Sequence, residues 1–406
     1  MDECKFSGEK GTPVDGAESP SLLHAVSLPA LAVYDAALSH NLTWMQRFAT
    51  VHHTQLAPHG KTTMTPAIFR RQIDAGAWGI TLATAPQCRA AYREGGVRRL
   101  LMANQLVDQA NMQIIADLLR DPEVDFYCLV DSPKQAHDLN KFFGTRGLVL
   151  QVLIELGAPG GRCGCRSPEE VQALAREVID APALALAGIE GYEGAIGTGA
   201  SENAIRQYVE LLVSTGLQLP SDPAFTGTKR VITAAGSEWY DVVAQVFDRP
   251  EVHERFIPLL RPGCYVTHDH GTYAQAQQAV QARRPDLGDG LKPAMAVIAA
   301  IQSVPERGFA IAALGRRDVG FDAALPLPLR RYRASAGFVP EPIDGCSVTR
   351  LMDQHAFLNT PGSCDLDVGD IVAFGISHPC TTFDKWRQIC LIDDEMNVLD
   401  ILPTRF

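Results

Sequence analysis

The sequence predicts an α/β fold: a closed parallel (β/α)8 barrel of the TIM type, followed by a separate β-domain. Three observations carry this. The chain has 406 residues, too many for one small module when domains run to roughly 100–200 residues each. Short apolar runs alternate with amphipathic stretches from about residue 29 onward. After about residue 290 the helical periodicity stops, and short alternating or buried runs broken by Pro, Gly and Asp replace it.

Residues 1–27 carry Gly, Pro, Ser and charge without periodicity, which reads as a leader that is either flexible or docked on the β-domain. The alternation then runs LAVYD and 36–49, GITLAT and 85–94, LLMAN and 108–120, FYCLV and 132–143. It continues with LVLQVLIEL and 167–180, LALAGIEGY and 201–215, VITAAG and 238–246. Adding QLAPHG before Lys61 and FIPLLRPGCYV at 256–266 gives eight or nine strands, the number a barrel of about 250 residues needs. A doubly wound sheet is the rival, but no G-x-G-x-x-G follows the first strand. The expected boundaries are 28–285 for the barrel and 286–406 for the β-domain.

Charged residues make up 20% and hydrophobic ones 46%, the composition of an ordinary globular protein. A formal net charge of −11 with no basic run argues against nucleic acid as a partner. No stretch approaches the ~20 apolar residues of a membrane span, and the polar start has no apolar signal core, which points to the cytoplasm. Ten cysteines are scattered rather than densely spaced, so most are expected to be reduced. Cys163 and Cys165 flank one Gly, too close for a C-x-x-C pair.

The segment QLAPHGKTTMTP places Lys61 just past a strand, beside His59 and before a helix start at Thr65-Pro66. In a barrel, the C-terminal ends of the strands form the catalytic face. Here the sequence resembles a known family: the pyridoxal phosphate (PLP) proteins with an alanine-racemase-like barrel (fold type III), and within them the D-serine dehydratase and D-threonine aldolase group. The resemblance runs from about residue 28 to the C-terminus. Its H-x-K-T signature falls on His59-Gly60-Lys61-Thr62, which implies that Lys61 carries PLP and His59 lies at the cofactor. GITLATAPQ and LLMANQLVD look like the next two strand ends. IELGAPGGRCG resembles the stretch whose arginine lies near the cofactor ring, matched by Arg162; IEGYEG resembles a Y-x-G strand end, making Tyr192 a ring contact. Either could face the pyridine nitrogen. VITAAGSEWYD resembles the phosphate turn, at Ala235, Gly236 and Ser237, with Ala-Gly where the family has a double glycine. RPGCYVTHDHGTY resembles the following strand end, with Tyr265 at the phosphate or the cleft wall, or else a barrel-closing aromatic.

In the β-domain, GISHPCTTFDKW puts His378 and Cys380 two apart, on the same side if the backbone is extended. The resemblance implies a metal pair here: H-x-C goes with zinc and dehydratase activity, H-x-D with a harder ion and aldolase activity. Thiolate and imidazole suit Zn2+, although another divalent metal is an alternative. The implied function is a metal-assisted β-elimination on a D-β-hydroxy amino acid such as D-serine or D-threonine, giving a keto acid and ammonia, with Lys61 as base. Retro-aldol cleavage to glycine and an aldehyde is the main rival. A racemase would need a second base, and a non-enzymatic PLP carrier would lack the β-domain. The resemblance also implies a homodimer. His52-His53, His268-x-His270 and Asp353-x-His355 read as loop or packing residues, while Asp322 and His355 could line the cleft.

Overall fold

A computed structural model describes residues 10–14, 20–197, 199–225, 229–362 and 364–406. The chain divides into two compact units. One comprises Thr43–Lys61 and Pro66–Gly263; the other comprises the residues up to Leu42, Thr62–Thr65 and Cys264–Phe406. This differs from the linear boundaries at 28 and 285, and the reason lies in β1 (Ala30–Tyr34). The run LAVYD has the look of a first barrel strand, yet it pairs with strands of the C-terminal unit.

The first unit holds β2 (Gln55–Leu56), β3 (Ile80–Leu82), β4 (Arg99–Gln105), β5 (Asp125–Val130), β6 (Leu150–Glu155), β7 (Leu184–Glu190), β8 (Arg230–Ala234) and β9 (Phe256–Leu260). All eight are parallel, in the order β2-β9-β8-β7-β6-β5-β4-β3. The two ends of this sheet meet. The Trp78 N–H donates to the Leu56 carbonyl at 2.7 Å and the Thr81 N–H to the Pro58 carbonyl at 2.9 Å, curling the sheet back on itself. Strands buried on both faces read as continuous apolar runs, as LALAGIE of β7 does. Side chains of Ala57, Leu101, Leu129, Leu153, Ala187, Val231 and Leu259 form one buried cluster from six of these strands and the stretch after β2. Gly188 is obligatory in β7, because a Cβ there would collide with the Val231 carbonyl of β8.

The connecting helices start where short polar residues can cap them. Thr84, Asp108, Ser167 and Ser201 each accept a backbone N–H three residues on, worth about 1 kcal/mol apiece.

The second unit holds β1 with β10 (Met295–Glu306), β11 (Phe309–Ala312), β12 (Leu327–Tyr332), β13 (Pro340–Pro342), β14 (Ser347–Leu351), β15 (Ala356–Asn359), β16 (Ile371–Gly375), β17 (Gln388–Ile392) and β18 (Val398–Pro403). The main path runs β13-β12-β16-β10-β1-β17-β18, and β11, β15 and β14 extend it from β10. Strand β1 is therefore internal, antiparallel to β10 and parallel to β17. Its Ala30 and Ala32 pack with Ile298, Ile371, Ala373 and Ile392. The described part of the leader is docked on this unit: the Leu22 N–H donates to Met396 O, and the Val398 N–H to Pro20 O. Cys346 and Cys364 form a disulfide, and the other described cysteines are not disulfide-bonded. Among the described residues, no helix is long and apolar enough to cross a membrane.

The stretch after β9 should make this unit's stability depend on pH. His268 and His270 are each pushed down to about 4, foremost by burial. Between them Asp269 accepts the N–H groups of Gly271, Tyr273 and Ala274 at the start of helix Thr272–Arg283, and burial pushes it up to about 6. A histidine with a lowered folded pKa contributes stability above its unfolded value near 6.5 and loses it as pH falls toward 4. The raised aspartate acts oppositely, losing stability as pH rises through 6, and so offsets one of the two histidines. The net expectation is a loss on the order of 2–4 kcal/mol between pH 7 and pH 4. His270→Phe should shrink that loss, because Nδ1 of His270 has no partner to forfeit. Urea denaturation at neutral and acidic pH measures it; an unchanged difference would reject the assignment.

Candidate functional site

Within the barrel unit, the predicted cofactor residues stand at the C-terminal ends of their strands. Lys61 lies in the 3-10 turn Gly60–Thr62 after β2. Gly60 is required there, since a Cβ would come within 2.7 Å of the Phe69 ring and 2.9 Å of the Ile80 side chain. His59 sits on the same segment, its N–H donating to Pro262 O and its Nδ1 buried without a partner. Burial, then the positive charges of Lys61, Arg261 and Arg162, hold its imidazole well below the ordinary range, so it is neutral at physiological pH.

Arg162 follows β6 and Tyr192 follows β7, and the guanidinium stands 4.8 Å from the Tyr192 ring centroid. Burial raises the Tyr192 phenol, keeping it protonated. Gly194 carries no Cβ because one there would strike the Tyr192 hydroxyl. The turn after β8 has Ala235 at φ 73°, a left-handed conformation that costs a non-glycine residue roughly 1–2 kcal/mol. The resembled family has a double glycine where this chain has Ala235-Gly236, and the left-handed backbone at Ala235 explains that preference. The amides of Ala235 and Gly236 donate to the two oxygens of the buried Glu193 carboxylate at 3.0 and 2.7 Å, and Ser237 Oγ accepts the Gly263 N–H. The turn is thus a nest of N–H donors that already accommodates an oxyanion.

Two further residues of this face lie within these motifs, and no local pattern marks them. Glu193 is one. Arg261 is the other: it follows β9, pairs with the buried Glu190 at the end of β7, and donates to Thr233 Oγ1 at 2.9 Å. Burial pushes Glu190 up to about 7 despite that partner. A neutral buried histidine with an unpaired nitrogen, a lysine on a constrained turn and an arginine over a tyrosine are a donor set that fits an aromatic aldehyde. These residues would hold its ring and its carbonyl carbon.

Tyr265 belongs to the second unit, fully buried in the 3-10 turn Cys264–Val266. The same unit holds His378 and Cys380. Their spacing predicts a shared side on extended backbone, but Pro379 is helical (φ −58°, ψ −47°) and Cys380 begins the short helix Cys380–Phe383. Proline fixes φ at the value a helix start wants, which overrides the extended reading. The two side chains nevertheless interact: each shifts the other toward its ionised form.

Three more residues complete the environment. His378 Nδ1 is 2.6 Å from Asp322 Oδ2, and Thr381 Oγ1 donates to Asp322 Oδ1 at 2.7 Å. Cys380 Sγ lies 3.5 Å from Cys264 Sγ and 3.3 Å from Thr62 Oγ1. The hydrogen bond from Cys264, with those from His378 and Thr62, holds Cys380 as thiolate, while burial and that thiolate push Cys264 up. His378 is pushed up to about 9, by Cys380 first and Asp322 after it. A thiolate beside an imidazole whose Nδ1 is engaged by a carboxylate leaves Nε2 for a metal, an outer-shell arrangement common in metal sites. The donor set fits a zinc-type ion. Asp322 was legible only as a cleft residue, and nothing local marks Cys264 or Thr62.

Residues 33–214 match the alanine racemase N-terminal domain family and residues 294–392 the putative serine dehydratase domain family. A D-threonine aldolase of Arthrobacter sp is 22% identical over 376 residues, 92% of this chain and 90% of that protein. The crystal structure of D-threonine aldolase from Filomicrobium marinum superposes with a TM-score of 0.78 at 22% identity, covering 93% of this chain and 95% of its own. D-threo-3-hydroxyaspartate dehydratase from Delftia sp. HT23 superposes with a TM-score of 0.73 at 19% identity, covering 95% and 99%. Two separate stretches of the chain are thus similar to the alanine racemase N-terminal domain and to the putative serine dehydratase domain, and the fold is alanine-racemase-like.

Proposed function

We propose that the chain is a PLP-dependent lyase acting on D-β-hydroxy amino acids such as D-serine or D-threonine, by β-elimination to a keto acid and ammonia. What supports elimination over its rival is that the residue paired with His378 is a cysteine, Cys380, a soft pair suited to zinc, while Asp322 engages His378 Nδ1. Bound PLP supplies an electron sink for the charge left on Cα, and a divalent metal on His378 and Cys380 supplies a Lewis acid for the β-hydroxyl. Lys61 takes the α-proton through its amine. Arg162 and Tyr192 orient the ring face. The neutral His59 offers a hydrogen bond without adding charge, and Glu193 holds the turn of Ala235 and Gly236 in shape. Asp322 keeps the His378 tautomer fixed. Across the whole reaction D-serine becomes pyruvate and ammonia, and D-threonine becomes 2-oxobutanoate and ammonia.

The second reading is aldol cleavage, favoured by the Arthrobacter relative and by a 3-hydroxy-D-aspartate aldolase of Paracoccus denitrificans, 26% identical over 42% of this chain and 44% of that protein. Here the β-hydroxyl proton leaves and the Cα–Cβ bond breaks. Product analysis on D-threonine separates the two. Keto acid and ammonia are expected; glycine and acetaldehyde with no keto acid would move the assignment to aldolase. Removing the metal with a chelator should abolish keto-acid release.

A further inference from the structure

The barrel unit carries another cluster of ligand-type side chains, at the opposite ends of the strands from Lys61. His53 lies in the turn between helix Asp35–Val51 and β2, Asp248 ends helix Tyr240–Phe247, and His253 sits in the last turn of helix Pro250–Arg255, which runs directly into β9. Strands β2 and β9 are neighbours in the sheet, so the segments feeding them from the N-terminal side come together. There His53 Nδ1 stands 3.0 Å and His253 Nε2 3.1 Å from the same oxygen, Asp248 Oδ1. All three ligand atoms lie within 4.8 Å of one another. The two rings are 5.8 Å apart and steeply inclined at 75°, so they converge on the carboxylate rather than stack.

Those spacings are close to what a metal requires. Ligand bonds of 2.0–2.1 Å to a tetrahedral ion place adjacent N and O ligands roughly 3.3 Å apart, a few tenths of an ångström beyond the observed separations. Two imidazoles and one carboxylate suit divalent transition ions such as zinc, nickel or copper; magnesium and calcium prefer all-oxygen sets. His53 is largely exposed and the other two are partly so, which leaves a coordination position for water. The sequence alone reads His53 as a loop histidine; the parallel pairing of β2 with β9 is what gives it partners.

We propose that His53, Asp248 and His253 form a divalent transition-metal site on the N-terminal face of the barrel, distinct from the His378–Cys380 pair and without a part in the lyase chemistry. Its effect is on stability. An ion there ties the start of β2 to the helix leading into β9, and any ligand bound only by the folded state raises its stability in proportion to the logarithm of ligand concentration over Kd.

The test uses the full-length protein with its cofactor, stripped by chelator and dialysed against buffered micromolar free zinc, with metal counted by elemental analysis. Wild type should retain one more zinc per chain than His253→Ala or Asp248→Asn. Its thermal midpoint should rise with zinc by more than that of either variant, and lyase activity should be equal in all three. Asp248→Asn conserves shape, so a fold defect in one variant does not decide the outcome. Equal zinc content in wild type and a folded variant would overturn the proposal, as would a zinc-dependent midpoint shift that both variants keep.

Discussion

Lys61→Ala should give a protein without visible absorbance when grown with PLP, whereas wild type should be coloured, and its turnover of D-serine or D-threonine should fall at least about a thousandfold. The size follows from the two roles proposed for Lys61, covalent anchor and base, since a positioned base alone contributes about 10²–10⁴. The location makes the lysine hard to replace. Gly60 packs against Phe69 and Ile80 with no room for a Cβ, so the turn fixes where the Lys61 backbone stands. No shifted lysine on a neighbouring residue can substitute without moving that turn. A coloured variant with the wild-type spectrum would refute the assignment, whatever its activity.

Arg261→Met should destabilise the barrel unit by about 3–5 kcal/mol, the usual cost of removing one partner from a buried ion pair. Glu190 is 1% exposed and Arg261 6% exposed, so the orphaned carboxylate cannot find water. Its pKa, already pushed up to about 7, should climb further. A carboxylate raised above its unfolded value near 4.3 contributes stability at low pH and loses it as pH rises. The defect should therefore be greatest above pH 7 and shrink on mild acidification. Glu190→Gln in the same chain should recover much of the loss. Chemical denaturation of the two single variants and the double variant measures the coupling. An additive double variant would mean that the pair contributes no specific interaction.

Much of the fold was legible because the barrel strands and their helices are local patterns. LALAGIE is continuous and buried, and the helix after it starts at a serine cap. Strand β1 shows the limit. LAVYD followed by an amphipathic helix is locally indistinguishable from a barrel β/α unit, and only its register with β10 and β17 assigns it elsewhere. The same holds for the sites. Lys61, His378 and Cys380 stand in compact motifs, so sequence could name them. Asp322 reaches His378 across 56 positions and Cys264 reaches Cys380 across 116, distances over which one sequence carries no signal. The H-x-C spacing suggests a shared side only on extended backbone, whereas the proline between the two residues favours the helix start that the structure has.

The internal position of β1 has a consequence for how the protein is made. Residues 30–34 leave the ribosome long before their sheet partners, residues 295–298 and 390–392. At about 5–20 residues per second, this strand waits tens of seconds for its parallel neighbour. During that interval the eight-stranded barrel has everything it needs to assemble, whereas the other unit cannot close until translation is nearly over. Premature termination should leave a folded barrel trailing an unpaired apolar strand, a natural target for chaperones and proteases.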